Sequence, residues 1–427
     1  MAQKGIREFD AKRMLARFLP EYTSSVKYDG KIALVTPTTD FDHLAKDYPW
    51  LNSGKLVVKP DQLFGKRGKN NLLLIGADYK GAQAWINERM NKEVTIKQTT
   101  GTTTGILTHF MIEPMVEHKD EYYVAIKSSR AGDTIYFSLQ GGINVEENWD
   151  KVRELTVPVL ESIDSQNLNQ LVPSDLGPQK EAVMDFVKGL FKVYQKLNFS
   201  YLEINPFTVV HSNVVPLDTV AKLDDTGAFE SSRDWGEIDF PPSFGMKTRP
   251  EEQIIKELDE KSGSSLKLTI INPEGRIWLM VAGGGASVIY ADTVVDLGQM
   301  KELANYGEYS GNPTTDETQV YAETILEMMT RTKHPNGKAL LIGGGIANFT
   351  DVAKTFTGIN NVLRKYQAKL REHNIKIFVR RGGPNYLEGL EKIKKLGEEL
   401  NISIEVYGPE THMTKIVPLA VKALGLN

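Results

Sequence analysis

Two oxygen-bearing side chains stand near the middle of the chain: Asn205 in Tyr201-Leu-Glu203-Ile-Asn205-Pro206, and Asp218 in Val215-Pro-Leu-Asp218. An amide oxygen and a carboxylate set side by side on adjacent short strands make a hard-oxygen pair suited to Mg²⁺ carrying nucleotide phosphates. Both residue types also favour turns by bonding their own backbone, so an Asx-type turn is the competing role. Upstream, Lys59-Pro-Asp61-Gln-Leu-Phe-Gly-Lys-Arg67-Gly68 is a basic, glycine-containing loop after a strand. That composition suits a phosphate cover, or else a solvated charged loop. The apolar run Met111-Ile-Glu-Pro114-Met-Val116 reads as core, or as a hinge whose backbone meets an adenine edge. Far downstream, Arg381 stands beside two glycines, where its planar fork would take a carboxylate or cap a neighbouring loop.

These residues need elements to position them. Val183, Val187, Leu190, Tyr194 and Leu197 recur at three- and four-residue steps and predict a helix packed on a sheet just before Glu203, placing the oxygen pair on a rigid strand. Strands are expected at 55–59 and 71–75, and 121–127 pairs with 134–139 as a hairpin across Ala131-Gly-Asp133, so the front sheet is at least partly antiparallel. The back half is more regular. Buried strands at 276–281, 339–342, 375–379 and 402–406 each run into a turn and then a helical segment, the rhythm of a parallel, doubly wound sheet. Three of those turns carry glycines, at 283–285, 343–345 and 382–383. Turns at the carboxyl ends of such strands form the ligand crevice, and glycine lets backbone amides approach an anion. No G-x-G-x-x-G pattern is present, so a polyanion is expected there in preference to a dinucleotide.

Bulk properties exclude more than they indicate. The 427 residues allow two or three domains, and a net charge of −4 with interspersed signs gives no reason to expect nucleic acid or a membrane surface as partner. Cysteine is absent, which removes disulfides, thiolate metal sites and a cysteine nucleophile. The opening residues lack an apolar run of signal-peptide length, and no stretch is long enough to span a bilayer, so a cytoplasmic protein is expected. The prolines between Asp239 and Pro250 mark a linker, giving expected domains at 1–240 and 263–427 joined by 241–262.

Taken in order, Lys59, Arg67-Gly68, the Ile112-Glu-Pro114 hinge, Glu121, Glu203-Ile-Asn205-Pro206 and Asp218 resemble the layout of an ATP-grasp nucleotide site. The start, Arg7-Glu-Phe9-Asp-Ala-Lys12, resembles the succinyl-CoA synthetase β subunit. Long motifs in the back half, among them Val281-Ala-Gly-Gly-Gly-Ala-Ser-Val288, Glu302-Leu-Ala-Asn-Tyr-Gly-Glu-Tyr-Ser310-Gly311 and Phe378-Val-Arg-Arg381-Gly-Gly-Pro-Asn-Tyr386, resemble the N-terminal portion of the ATP-citrate lyase family.

The resemblance implies an α/β chain: an ATP-grasp fold followed by a flavodoxin-like or Rossmann-like doubly wound parallel-sheet domain. It implies ATP phosphates at Lys59, Arg67 and Gly68, adenine at the backbone of Pro114 and Val116, ribose at Glu121, and Mg²⁺ at Asn205 and Asp218. Citrate is implied at Ser310, Gly311, Asn348, Phe349, Thr350, Tyr366 and Arg381, with Lys59 and Arg381 the catalytic residues; the turn around Asp259 and Ser262 is a weaker metal candidate against a helix end. The sequence stops at Asn427, before the family's CoA-binding region, phosphorylated histidine and citrate-synthase-like lyase module. A second subunit is therefore expected to supply them and to bind CoA, in a hetero-oligomer. His412 is the one histidine here weighed as a phosphate carrier, against a hydrogen-bonding role. The alternative is the large subunit of a citryl-CoA synthetase.

Overall fold

The computed structural model describes residues 3–98, 101–142, 145–246 and 249–426. The chain forms two compact units, Met1–Lys247 and Thr248–Asn427.

The first unit opens on β1 (Gln3–Ile6) and α1 (Glu8–Phe18), then runs through β2 (Ala33–Val35), α2 (Phe41–Asp47), β3 (Leu56–Pro60), β4 (Leu74–Ala77) and α3 (Tyr79–Arg89). The antiparallel pair β5 (Glu93–Gln98) and β6 (Gly101–Ile106) follows, then β7 (Phe110–Pro114), β8 (Tyr122–Ser129), β9 (Gly132–Ser138) and β10 (Arg153–Pro158). Helix α4 (Lys180–Lys196) leads into the long β11 (Phe199–Val210), then β12 (Asn213–Pro216), β13 (Thr219–Asp224) and α5 (Ala228–Trp235). The larger sheet has the order β1-β13-β11-β8-β9-β10, with β12 paired to β11; the smaller is β2-β7-β3-β4. The pairings between these strands are antiparallel.

Helix α4 is the expected amphipathic helix. Phe186, Leu190, Phe191 and Tyr194 are fully buried on one face, and Phe186 lies 4.9 Å from Phe207 of β11 between ring centroids. Burying each such side chain is worth roughly 1.5–3 kcal/mol, which fixes β11 as a rigid support. Two boundaries move. β4 starts at Leu74, because Asn71 takes a left-handed conformation (φ 56°) that closes a turn. The β8–β9 turn sits at Arg130-Ala131, with Gly132 inside the strand, where a Cβ would lie 2.1 Å from the Val157 carbonyl.

The second unit contains α6 (Pro250–Lys261), β14 (Ser265–Ile270), β15 (Ile277–Ala282), α7 (Gly284–Asp296), β16 (Asn305–Ser310), α8 (Thr315–Met329), β17 (Lys338–Gly344), α9 (Val352–Glu372), β18 (Ile375–Arg380), α10 (Tyr386–Leu400), β19 (Ile404–Tyr407) and α11 (Ile416–Ala423). Its sheet has the order β14-β16-β15-β17-β18-β19; all pairs are parallel except that of β14 with β16. Numbered in chain order, the five parallel strands run two-one-three-four-five, the flavodoxin-like doubly wound arrangement, with its switch point between β15 and β17. Apolar clusters cover both faces of the sheet.

The expected linker 241–262 is not irregular throughout, since 250–261 is helix α6. Pro250 occupies the first helical position, where its missing N–H is no loss and its fixed φ suits the helix. The Arg249 N–H donates to Glu252 (3.0 Å), the Ile270 N–H donates to the same carboxylate (2.7 Å), and Ile255 is buried. The helix thus belongs to the second unit.

Candidate functional site

The first unit contains a cleft of about 1180 Å³ whose lining includes Lys59, Arg67, Gly68, Pro114, Val116, Glu121, Asn205 and Asp218. Residues spread over 160 positions of sequence therefore meet in one place: Lys59 from β3, Arg67 and Gly68 from the loop after it, Pro114 from the end of β7, Asn205 from β11. Val116 and Glu121 lie between β7 and β8, where the His118 ring joins the Val116 carbonyl (2.8 Å) to the Glu121 carboxylate (3.1 Å). Those two acceptors hold His118 above its ordinary pKa, against a lowering by desolvation.

The cationic end of the cleft rests on a buried charge network. Glu8, almost without solvent exposure, accepts ion pairs from Lys12 (2.8 Å), Lys59 (2.8 Å) and Arg67 (2.7 Å). Glu113 pairs with Lys12 (2.5 Å) and Lys59 (3.0 Å), and Asp218 pairs with Arg67. Burial opposes the charge on Glu8, but Lys12, Lys59 and Arg67 together hold its carboxyl far below the usual range. Asp61, fully buried, accepts from the Glu8 N–H (2.8 Å) and the Phe9 N–H (3.1 Å) at the start of α1. Desolvation, then the charge of Glu8, push Asp61 up to about 7.

Asn205 and Asp218 are neighbours, as their sequence context suggests, and the Asn205 N–H donates to the Asp218 carbonyl (2.9 Å). Asn205 is inside the long β11, whereas Asp218 sits in the two-residue step between β12 and β13 and so is not itself on a strand. The Asn205 side-chain oxygen accepts from the Gly142 N–H (2.6 Å), leaving it a second lone pair. One Asp218 oxygen meets Arg67 and the residue is part-exposed to the cleft. Desolvation raises the Asp218 pKa against the pull of Arg67. An amide oxygen and a carboxylate oxygen facing one cavity fit a divalent cation that keeps water and phosphate in its remaining positions.

In the second unit, Ser310 ends β16 and Gly311 follows it, Asn348, Phe349 and Thr350 follow β17, and Arg381 follows β18, all at the carboxyl edge of the parallel strands. The two adjacent arginines differ sharply. Arg380 is buried and satisfied, donating to the carbonyls of Gly344 (2.9 Å), Thr411 (2.9 Å) and Pro409 (3.1 Å). Arg381 is 1 % exposed, and its Nε and Nη2 have no hydrogen-bond partner among the described residues. Its Nη1 passes over Gly344, where a Cβ would stand 2.2 Å away, so only glycine admits the side chain. The buried Tyr309 hydroxyl also lacks a partner among the described residues; desolvation raises its pKa, and the charge of Arg381 opposes the rise. A buried, under-bonded guanidinium is costly unless an anion completes it.

The loop after β17 is tied to the loop after β18 through Ala347 N–H to Gly382 O (3.0 Å) and Val352 N–H to Pro384 O (3.0 Å). Asn348 and Phe349 are exposed, Thr350 is buried, and the Ser310 hydroxyl donates to Glu308 (3.0 Å). Tyr366 is not gathered with them. It lies fourteen residues beyond Val352 in α9, about 21 Å along the helix axis, buried in the core on the side of Glu323 and Glu327 of α8. Asp259 accepts from the Leu266 N–H (2.8 Å) and pairs with Lys267, and Ser262 caps the end of α6 by donating its N–H to the Asp259 carbonyl, which favours the helix-end role. His412 is exposed and its ring contacts the Thr414 hydroxyl (3.0 Å).

Residues 2–235 match the family model described as the ATP-citrate synthase ATP-grasp domain, and residues 246–423 match that described as ATP citrate lyase citrate-binding. The chain belongs to the ATP-citrate synthase family. It is 48% identical over 427 residues to human ATP-citrate synthase, covering 99% of this chain and 38% of the human one. The chain thus spans well under half the length of that relative. It is also 48% identical over 424 residues to the ATP-citrate synthase alpha chain protein 2 of Oryza sativa subsp. japonica, covering 99% of both. Among solved structures, that of ATP citrate lyase from Methanothrix soehngenii in complex with citrate and coenzyme A is 54% identical, with a TM-score of 0.88 and coverage of 99% of this chain and 100% of that one.

Sequence reading of this ATP-citrate synthase family member assigned no role to Glu8, Lys12 and Asp61. Charged residues at i and i+4 of a helix ordinarily form a solvated pair, and only the fold reveals that Lys12 is 0 % exposed. A usable signal existed in the cluster of Glu8, Asp10 and Lys12 amid apolar residues of a helix whose other face must also be buried.

Proposed function

We propose that this chain is the ATP- and citrate-binding subunit of an ATP-citrate lyase. The reading rests on one observation above others: Arg381, buried beside the glycine turn at the carboxyl edge of a doubly wound sheet, presents unsatisfied donors suited to a carboxylate. It is supported by the cleft of the first unit, whose lining combines Lys59, Arg67 and Gly68 with Asn205 and Asp218.

In this reading ATP phosphates meet Lys59, Arg67 and the Gly68 backbone, adenine lies on the backbone of Pro114 and Val116, and Glu121 takes the ribose hydroxyls. Mg²⁺ held by Asn205 and Asp218 would neutralise charge on the phosphates. Lys59 and Arg67 stabilise the charge that develops as the bond from γ-phosphorus to ADP breaks and a bond to an imidazole nitrogen of a partner subunit forms. The P–N bond then breaks as a citrate carboxylate oxygen attacks, giving citryl phosphate. Arg381 orients citrate, with Ser310, Gly311, Asn348, Phe349 and Thr350 around it. The CoA thiol displaces phosphate to form citryl-CoA, and the partner's lyase module cleaves it to acetyl-CoA and oxaloacetate. The partner, which also binds most of CoA, is the second component of a cytoplasmic hetero-oligomer. Support for a separate partner is the end-to-end match to the rice alpha chain beside the 38% coverage of the human enzyme.

The test is to purify the chain with whatever binds it and assay oxaloacetate release. Release that requires citrate, CoA and ATP together is the expected result. Citryl-CoA accumulating without oxaloacetate supports the large subunit of a citryl-CoA synthetase instead, and turnover indifferent to citrate overturns both.

A further inference from the structure

Beneath the cleft of the first unit lies a group of ionisable side chains that the proposed chemistry does not use. Glu8 is absent from the cleft lining, yet its carboxylate is within 2.8 Å of Lys59, Lys12 and Arg67, and it also accepts from the Thr219 N–H at 3.2 Å. Lys59 and Arg67 do line the cleft. Each of them has a second carboxylate on the cleft wall, Glu113 for Lys59 and Asp218 for Arg67. The cations are therefore held from below by one buried anion and from the side by two lining ones. A polyanionic ligand entering the cleft competes with the lining carboxylates; it cannot reach Glu8.

What keeps Glu8 in place is equally specific. Its residue starts α1, and its backbone N–H, with that of Phe9, is taken by the two oxygens of Asp61. Asp61 is the residue after β3 and Lys59 is inside β3, so the cap ties the start of the helix to the strand that carries the cation. The Asp61 N–H is itself anchored on the His109 carbonyl (2.8 Å). Arg67 is locked by a further bond, to the Pro60 carbonyl (3.1 Å).

We propose that Glu8 and Asp61 are positioning residues for the nucleotide: Asp61 fixes the start of α1, and Glu8, so placed, holds the Lys59 ammonium and the Arg67 guanidinium at the separation a triphosphate requires. This rests on the nucleotide reading of the cleft. A long lysine and a long arginine lose rotamer freedom whenever they bind an anion. Glu8 removes that freedom in advance, which is the advantage of a pre-organised site. The charge balance also has a direction. Within this network three cations share three carboxylates, so displacing Glu113 and Asp218 from Lys59 and Arg67 uncovers positive charge when an anion arrives.

The experiment uses the full chain in its native assembly and measures two affinities by calorimetry, for ATP with Mg²⁺ and for citrate. Glu8→Gln keeps the shape and removes the charge. Asp61→Asn keeps the volume and weakens one of the two caps, and serves if Glu8→Gln does not fold. ATP affinity falling tenfold or more in Glu8→Gln, and threefold or more in Asp61→Asn, with citrate affinity within twofold of wild type, is the expected result. A merely structural role would lower the melting temperature without that selective loss. ATP affinity within twofold of wild type in the folded variants, or equal losses for both ligands, overturns the proposal. Wild-type protein that binds no ATP removes this proposal and the nucleotide reading together, whereas wild-type binding with unchanged variants removes this proposal alone.

Discussion

At the scale of single residues, the two adjacent arginines at the end of β18 decide what the second unit can recognise. Arg380 has its guanidinium consumed by three carbonyls and acts as a clamp on the turns at Gly344 and 409–411. Arg381, one residue on, is pushed across Gly344 with two nitrogens unbonded among the described residues. Of the two, the second is the one with donors left over among the described residues, and a guanidinium fork matches a carboxylate in a way that an ammonium does not. Arg381→Lys is therefore expected to weaken citrate binding about 10- to 100-fold, since hydrogen bonds to charged groups are worth about 1.5–3 kcal/mol. ATP affinity should stay within twofold. Titration of the variant with each ligand checks this; equal losses would mean a disturbed fold and not a lost carboxylate contact. Sequence singled out Arg381 by the two glycines beside it, but left open a carboxylate or a loop-capping role; only the neighbouring backbone decides which of the two arginines is satisfied.

At the scale of elements, the contact between α1 and β3 through Asp61 makes stability depend on pH. Asp61 titrates at about 7 in the folded protein. An unfolded aspartate titrates near about 3.9, so the folded state holds the extra proton between those values. The stabilising contribution of this group is full below about pH 4 and is lost as pH rises through about 7. Asp61→Asn cannot ionise, so its melting temperature relative to wild type is expected to rise from pH 5 to pH 8. Thermal melts across that range check it, and a constant difference would show that Asp61 does not titrate there. Elements were legible where periodicity matched burial: the stripe of α4 and the apolar runs of β15, β17, β18 and β19 all lie at or near their expected places. They were not where burial fell on polar or small residues. In β16 the buried positions are Asn305, Gly307 and Tyr309, so alternation carries no apolar signal, and Asn305 replaces a ladder contact by bonding both backbone groups of Leu279 (2.8 Å each). Helix α6 was hidden because a proline that stops a helix in its interior starts one at its first position.

At the scale of the whole molecule, the chain carries two units with separate cores, one built on antiparallel sheets and one on a doubly wound parallel sheet. Each places its charged residues in a different state. The first pairs the buried Lys59 and Arg67 with carboxylates; the second leaves a buried guanidinium under-bonded among the described residues. The eight residues proposed for the nucleotide were singled out by their distinctive order along the chain, and all eight line one cleft. Of the residues proposed for citrate, those around Ser310, Asn348 and Arg381 stand at strand ends, whereas Tyr366 lies four turns along α9, a place that follows from a helix start sequence alone does not fix. The central claim is that phosphorus passes from ATP through a histidine this chain does not contain. Incubating the purified assembly with ATP radiolabelled at the γ-phosphate, then separating the subunits, tests it directly. The account predicts acid-labile label on the partner subunit that is discharged on adding citrate; label on any residue of this chain, or label on the partner that citrate leaves untouched, would contradict it.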